Sequence, residues 1–285
     1  MNFADNITIV IVSHKSKKKL TNLIKDISNN IKIIIVENSL DKSIEIELSK
    51  LGKKIEIIFS ENNGYGSAIN LARRHVVTKY FFVLNPDMQN IDDKLISVFY
   101  ESAKELNDNF GALGPRFENV SEKSHKQSNI NEKYGQIKSI SGSAMFFCSE
   151  VFDKIGGFDE NFFLYFEETD YCYRSNNNNF KIYQINSQKV YHDIGTSVET
   201  TSKQEADKLK KLYTWHFIWS KFYFFKKHYG YMFSLIYFLP ILLRTYVKMI
   251  FFKITSKNSN KYSIRYDGLV SAIKGSKSYK RIDNF

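Results

Sequence analysis

The apolar run Tyr80-Phe81-Phe82-Val83-Leu84 stops on Asn85-Pro86-Asp87. Five consecutive apolar residues ended by a turn sequence have the length of a strand buried on both faces. Such strands sit in sheets covered by helices, and a carboxylate at the carboxyl end of one stands where open α/β sheets bind ligands. Alone, Asn-Pro-Asp is an ordinary turn. Three more polar clusters that follow apolar runs make it part of a pattern.

Strands at 7–12, 31–36, 55–59 and 80–84 alternate with helices at 18–29, 43–51 and 66–77. This order predicts a parallel sheet joined by right-handed crossovers. Beyond residue 92 the pattern loosens into a helix to about 106, a short strand at 110–113, a polar connector at 118–138 and an apolar segment at 143–148. With 43% hydrophobic and 15% aromatic residues, 285 residues bury a sizeable core in one large domain or one domain with an appendage. Two cysteines, Cys148 and Cys172, are too few for a disulfide framework. With no signal-peptide order at the start of the chain, a reducing, cytoplasmic compartment is expected.

Charge divides the chain. Residues 1–202 hold 24 Lys and Arg against 26 Asp and Glu, whereas residues 203–285 hold 17 against 4. The basic third interleaves cations with rings, as in Trp215-His216-Phe217-Ile218-Trp219-Ser220-Lys221-Phe222-Tyr223-Phe224-Phe225-Lys226-Lys227. That mixture suits the interface of an anionic membrane. The longest uncharged apolar stretch, 229–243, contains Gly230 and Pro240 and ends at Arg244, short of the roughly 20 residues that a spanning helix needs. The expectation is a helical tail, 203–285, that lies on a membrane surface beside a larger α/β domain, 1–202; a soluble helical lid is the alternative. No nucleic-acid module is present, and no nucleic-acid partner is expected.

The second strand ends in Glu37-Asn38-Ser39 and the third in Ser60-Glu61-Asn62-Asn63-Gly64-Tyr65-Gly66. A carboxylate there can accept from ribose hydroxyls, and a Gly-bearing turn into a helix offers N–H groups to phosphate. Taken singly, each loop reads more readily as a turn and helix cap than as a ligand loop. The densest cluster is Gly156-Gly157-Phe158-Asp159-Glu160, the aromatic run 161–166, then Glu167-Glu168-Thr169-Asp170, with Arg174 one turn on. If Glu168 opens a helix, Glu167 and Asp170 share one face and Glu168 points elsewhere. Asp170 with Arg174 reads as a structural pair. His192 closes another strand-like run, placed as a ligand or donor.

The order of these clusters resembles family 2 glycosyltransferases with the GT-A fold, and is similar to their bacterial rhamnosyl and galactofuranosyl transferase branch. Matching segments run from residue 7 to about 197. The resemblance implies a mixed α/β sheet flanked by helices and a nucleotide-diphosphate sugar (dTDP-, UDP- or GDP-linked) across the strand ends. It places Ser13, Glu37, Asn38, Asn62, Asn63, Gly64, Asn70, Asn85 and Asp87 on the donor. Mg2+ or Mn2+ would be held by Asp87 and His192, and Gly142, Phe158 and Asp159 would line the acceptor side. The base of an inverting attack falls on Glu168, with Asp170 the fallback and Glu167 beside them. The implied acceptor is a glycan, lipid-linked, on the inner face of the cell membrane, in surface polysaccharide or lipooligosaccharide synthesis.

The sequence departs from the family pattern twice. Asn85 supplies an amide where the pattern has a second carboxylate, and Glu168 is one methylene longer than the usual Asp. A non-catalytic binder would tolerate loss of Glu168. A nucleotidyltransferase would want a basic Gly-rich loop near the first strand, yet His14-Lys15-Ser16-Lys17 has no glycine. A dinucleotide oxidoreductase would need a Gly-rich fingerprint there.

Overall fold

A computed structural model describes residues 3–119, 127–129, 131–193, 195–255 and 258–285. Four parallel strands form its centre: β1 (Ile7–Ser13), β2 (Lys32–Glu37), β3 (Ile55–Phe59) and β4 (Tyr80–Leu84). They are joined by α1 (Lys17–Lys25), α2 (Ser43–Ser49) and α3 (Tyr65–Arg73). Then come β5 (Met88–Gln89), α4 (Asp93–Glu105), β6 (Ala112–Phe117), β7 (Tyr134–Ile137), β8 (Ala144–Cys148), α5 (Ser149–Ile155), α6 (Glu167–Asn177) and β9 (Ile182–His192). The nine-stranded sheet runs β3-β2-β1-β4-β8-β6-β9-β5, with β7 on β9.

β1, β4 and β8 are buried along their whole length, as their unbroken apolar runs require. β8 pairs antiparallel with β4, Leu84 opposite Ala144 and Tyr80 opposite Cys148, so the sheet is mixed beyond its parallel half. The connector expected at 118–138 contains a strand, β7, which pairs antiparallel with β9; its part at 120–126 and 130 lies outside the described residues. Half-polar Tyr-Gly-Gln-Ile leaves a weak alternation that the surrounding polar sequence hides. One aromatic cluster locks α5 and α6 to the sheet: Phe147 lies 5.0 Å from Phe81, 5.0 Å from Phe152 and 5.2 Å from Tyr171, centroid to centroid.

Residues 1–159 and 168–199 form one compact unit, and residues 160–167 with 200–285 form a second. The second unit is helical: α7 (Lys203–Tyr229), α8 (Tyr231–Ile254) and α9 (Asn260–Ile273). Ser202 caps α7 by accepting from the Glu205 amide at 3.1 Å. Gly230, at φ 87, makes the turn into α8. Trp215, Ile218, Trp219, Phe222, Phe238 and Leu269 form its core. Tyr165 and Phe166 are both left-handed, at φ 67 and 72, a strained backbone for aromatic residues. Ring contacts hold them: Tyr165 meets Phe217 at 5.7 Å, and Phe166 meets Phe217 and Phe224 at 5.7 Å each.

The interruption expected at Pro240 and Arg244 does not occur. α8 runs for 24 residues through both, long and apolar enough by length and composition to cross a membrane. Proline removes one amide donor, which a helix packed along one side tolerates, and arginine is a good helix former.

His216, fully buried in this unit, carries a second consequence. Its Nε2 lies 2.9 Å from the Lys280 carbonyl and its Nδ1 3.0 Å from Ser278 Oγ, which suits a neutral ring donating from one nitrogen and accepting at the other. Burial pushes its pKa down to about 4. The unfolded chain takes a proton near the ordinary value of 6.5 and the folded chain does not, so stability falls as pH drops from about 6.5 to about 4. The loss approaches about 3 kcal/mol at the acid end. Urea unfolding of wild type and His216→Gln across that range checks this; the variant's curve should be flatter.

Candidate active site

The carboxyl ends of the parallel strands meet along one edge. Ser13 of β1 is in register with Glu37 of β2, and Glu37 with Phe59 of β3. Glu37 is buried and held by three donors. Ser13 Oγ donates to Oε2, and both the Ser39 amide, at 2.7 Å, and Ser39 Oγ donate to Oε1. A carboxylate accepts about four hydrogen bonds, so Glu37 retains capacity for one more. Asn62 Oδ1 accepts from the Gly64 amide at 3.2 Å, closing the turn that opens α3, and Asn63 beside it is exposed.

Asp87 is 3% exposed. Pro86 carries it out of β4, and β5 then pairs antiparallel with the end of β9, Met88 opposite His192. This pairing brings His192 Nε2 to 3.3 Å from Asp87 Oδ1. Ser197 Oγ donates to the other carboxylate oxygen at 2.7 Å, and the Asp193 amide donates to the Asp87 carbonyl at 3.2 Å. The loop after β9 is fastened farther along as well. Lys19 pairs with Asp193 at 2.9 Å, and Glu199 Oε1 accepts from the Lys18 and Lys19 amides at the start of α1. A cavity of about 350 Å³ is bordered by Lys19, Asn22, Pro86, Asp87, Gln89 and Asp193.

Among the described residues, three acceptors at these strand ends are buried without a hydrogen bond: Asn38 Oδ1, Asn85 Oδ1 and Asp87 Oδ1, the last facing only the His192 ring at 3.3 Å. Each orphaned acceptor costs about 1–3 kcal/mol, and buried orphans call for a ligand or ion. Oxygen from Asp87 and Asn85 with nitrogen from His192 is a donor set that Mg2+ or Mn2+ accepts. Among the described residues no group of three or more His, Cys, Asp and Glu gathers around a single point. A cation here would complete its shell with phosphate oxygens and water, the usual arrangement for Mg2+ on a phosphorylated substrate.

Gly142, expected on the acceptor side, reaches the same edge just before β8. The Asn85 amide donates to the Ser143 carbonyl at 2.8 Å, and Tyr65 Oη donates to the Gly142 carbonyl at 2.6 Å. A Cβ built on Gly142 would lie 3.8 Å from both Glu168 Cγ and a Tyr65 ring carbon, so Glu168 faces this corner. Glu168 is half-buried in the first turn of α6, whereas Glu167 and Asp170 are buried. Arg174 Nε donates to Asp170 at 2.8 Å, and its terminal nitrogens donate to the carbonyls of Ile155 and Gly157 at 2.6 Å each. Asp170 is thus the structural pair expected, and of the three acids Glu168 is the most accessible.

Two residues expected at the ligand make contacts within the protein. The Asn70 amide group spans the Phe158 backbone, donating to its carbonyl at 2.9 Å and accepting from its amide at 3.0 Å. The Phe158 ring is buried against Phe152 and Tyr171. Both clamp the loop that carries Asp159, which is half-buried. Gly157 shows why no side chain fits: its φ is +63, and a Cβ would sit 2.8 Å from Asn70 Oδ1. Gly157→Ala is expected to lower stability by about 2 kcal/mol, read as a lower urea midpoint. Ser39, Tyr65 and Ser197 went unmarked as site residues in the sequence because a hydroxyl's partner is fixed by tertiary approach alone.

Known proteins resemble this chain in sequence and in fold. The "Low-salt glycan biosynthesis hexosyltransferase Agl10" of Haloferax volcanii is 27% identical over 211 residues, covering 66% of this chain and 67% of that protein. Among solved structures, TarS of S. aureus with UDP-GlcNAc superposes with a TM-score of 0.54 at 11% identity, covering 96% of this chain and 93% of TarS. The mannosyltransferase PcManGT of Pyrobaculum calidifontis, with GDP-Man and Mn2+, gives a TM-score of 0.60 at 10% identity, covering 95% and 88%. The family model "Glycosyl transferase family 2" matches residues 8–198, from β1 to the loop that holds Asp87, and the chain therefore belongs to glycosyltransferase family 2.

Proposed function

We propose that this glycosyltransferase moves a hexosyl or deoxyhexosyl group, with inversion, from a nucleotide-diphosphate sugar to a glycan hydroxyl. The observation that carries the reading is the row of orphaned acceptors at the ends of β2 and β4. Glu37 accepts from the ribose with its remaining lone pair, and Asn38 and Asn63 border the base. Asp87, with His192 and the Asn85 amide oxygen, would hold Mg2+ or Mn2+. When bound, the cation supplies Lewis acidity to the departing diphosphate. Ser197 fixes one Asp87 oxygen and leaves the other, beside His192, for the cation.

Glu168 takes the proton of the attacking hydroxyl, which approaches over Gly142 from the face opposite the diphosphate. Asp159 receives acceptor hydroxyls. Relatives support the donor class: TarS binds UDP-GlcNAc, PcManGT binds GDP-Man with Mn2+, and the Haloferax protein is a hexosyltransferase of glycan biosynthesis. Rhamnose is a candidate sugar by motif order. The acceptor is a lipid-linked glycan of a surface polysaccharide or lipooligosaccharide. The enzyme works at the inner face of the cell membrane, with residues 1–202 catalytic and 203–285 the membrane-facing tail.

The test is a titration of Mn2+ into the full chain with and without a nucleoside diphosphate, followed by electron paramagnetic resonance. Cooperative binding of cation and diphosphate, lost in His192→Ala, supports the site. Equal binding by wild type and variant contradicts it.

A further inference from the structure

We infer that α8 lies in the plane of an anionic bilayer with one face among the acyl chains. This rests on the membrane reading above and deepens it by naming the element, the face and the mode. Met232, Ile236, Leu243, Val247 and Ile254 recur at helical spacing and are 56–77% exposed. A soluble helix turns its apolar stripe inward, and α8 does the reverse. Its protein-facing stripe is Ser234, Phe238 and Thr245, of which two are hydroxyl residues. An exposed apolar face of this length marks an interaction surface.

Charge selects the occupant. α8 contains Arg244, Lys248 and Lys253 and no acidic residue. Arg244 and Lys248, one position past Leu243 and Val247, fall on the flank of the apolar face, where a long side chain reaches headgroup phosphates. A second copy of α8 would bring cation against cation, so self-association is disfavoured. The packing selects the mode. Phe238 lies 5.3 Å from Phe222 of α7, and Tyr246 lies 5.5 Å from Tyr266 of α9. A spanning α8 would draw these helices, with Lys221, Arg265 and Asp267, into the hydrocarbon, where charges are strongly disfavoured. Lying flat keeps them on the wet side.

The experiment is flotation of the full chain with vesicles of phosphatidylcholine alone or with about 30% phosphatidylglycerol. Wild type should float with the anionic vesicles, and the triple variant Ile236→Glu, Leu243→Glu, Val247→Glu should partition at least about tenfold more weakly. Nitroxide labels at Ile236→Cys and Ile250→Cys, about 21 Å apart along the helix, should report equal immersion depths. Unequal depths that span the bilayer, flotation of the variant equal to wild type, no flotation of wild type, or a lipid-independent dimer through this face would each overturn the inference. Donor cleavage in detergent, measured in parallel, separates the two readings. If it persists without flotation, the membrane mode fails alone, and if it is absent despite flotation, the transferase assignment fails alone.

Discussion

Glu168→Gln is expected to keep donor binding within about twofold and to lose sugar transfer by about 10²–10⁴, the range a general base supplies. The substitution preserves size and removes only the ability to take a proton. Glu168 stands in the first turn of α6, where backbone N–H groups favour a carboxylate, and it lies beside Gly142. Neither neighbouring acid is placed to substitute. Asp170 is fully buried on Arg174, and Glu167 is buried at the helix start. Asp170→Asn should therefore act differently, lowering stability by leaving Arg174 uncompensated. Donor-binding titration beside a product assay checks the pair. Transfer by Glu168→Gln at the wild-type rate would remove it as the base.

Asp87→Asn should reduce nucleoside diphosphate release by about 10²–10³ and weaken Mn2+ binding in the presence of diphosphate. The amide keeps the Ser197 hydrogen bond within reach at one oxygen while the charge opposite His192 disappears. Ser197→Ala should fall between wild type and Asp87→Asn in cation affinity, because the carboxylate loses its orientation and keeps its charge. Metal titrations of the three proteins order these effects.

The parallel half of the sheet was legible because each strand is a short apolar run, and the strand ends were legible because acids and amides interrupt those runs abruptly. The fold class followed from that order. What the sequence hides is pairing between distant segments. Two residues, Met88 and Gln89, form β5, too short for any periodicity, yet their register with β9 is what brings His192 to Asp87. The same holds for Ser197, whose bond to Asp87 depends on a loop fastened at Lys18 and Lys19 by Glu199. Asn70 and Phe158 illustrate the converse: polar and aromatic residues beside a site fill hydrogen-bond and packing needs of the loop itself. At Pro240 the sequence pattern breaks and α8 does not, because a proline interrupts a pattern of residue types more than it interrupts a helix with tertiary support.

The most direct test of the account is a donor panel. The full chain with Mn2+ or Mg2+ is given UDP-, dTDP- and GDP-sugars, with and without a membrane-lipid fraction, and free nucleoside diphosphate is measured. The account predicts release from one donor, stimulated by the lipid fraction, dependent on the cation, and lost in Asp87→Asn. Release that is equal in wild type and Asp87→Asn, or no binding of any donor, would contradict it.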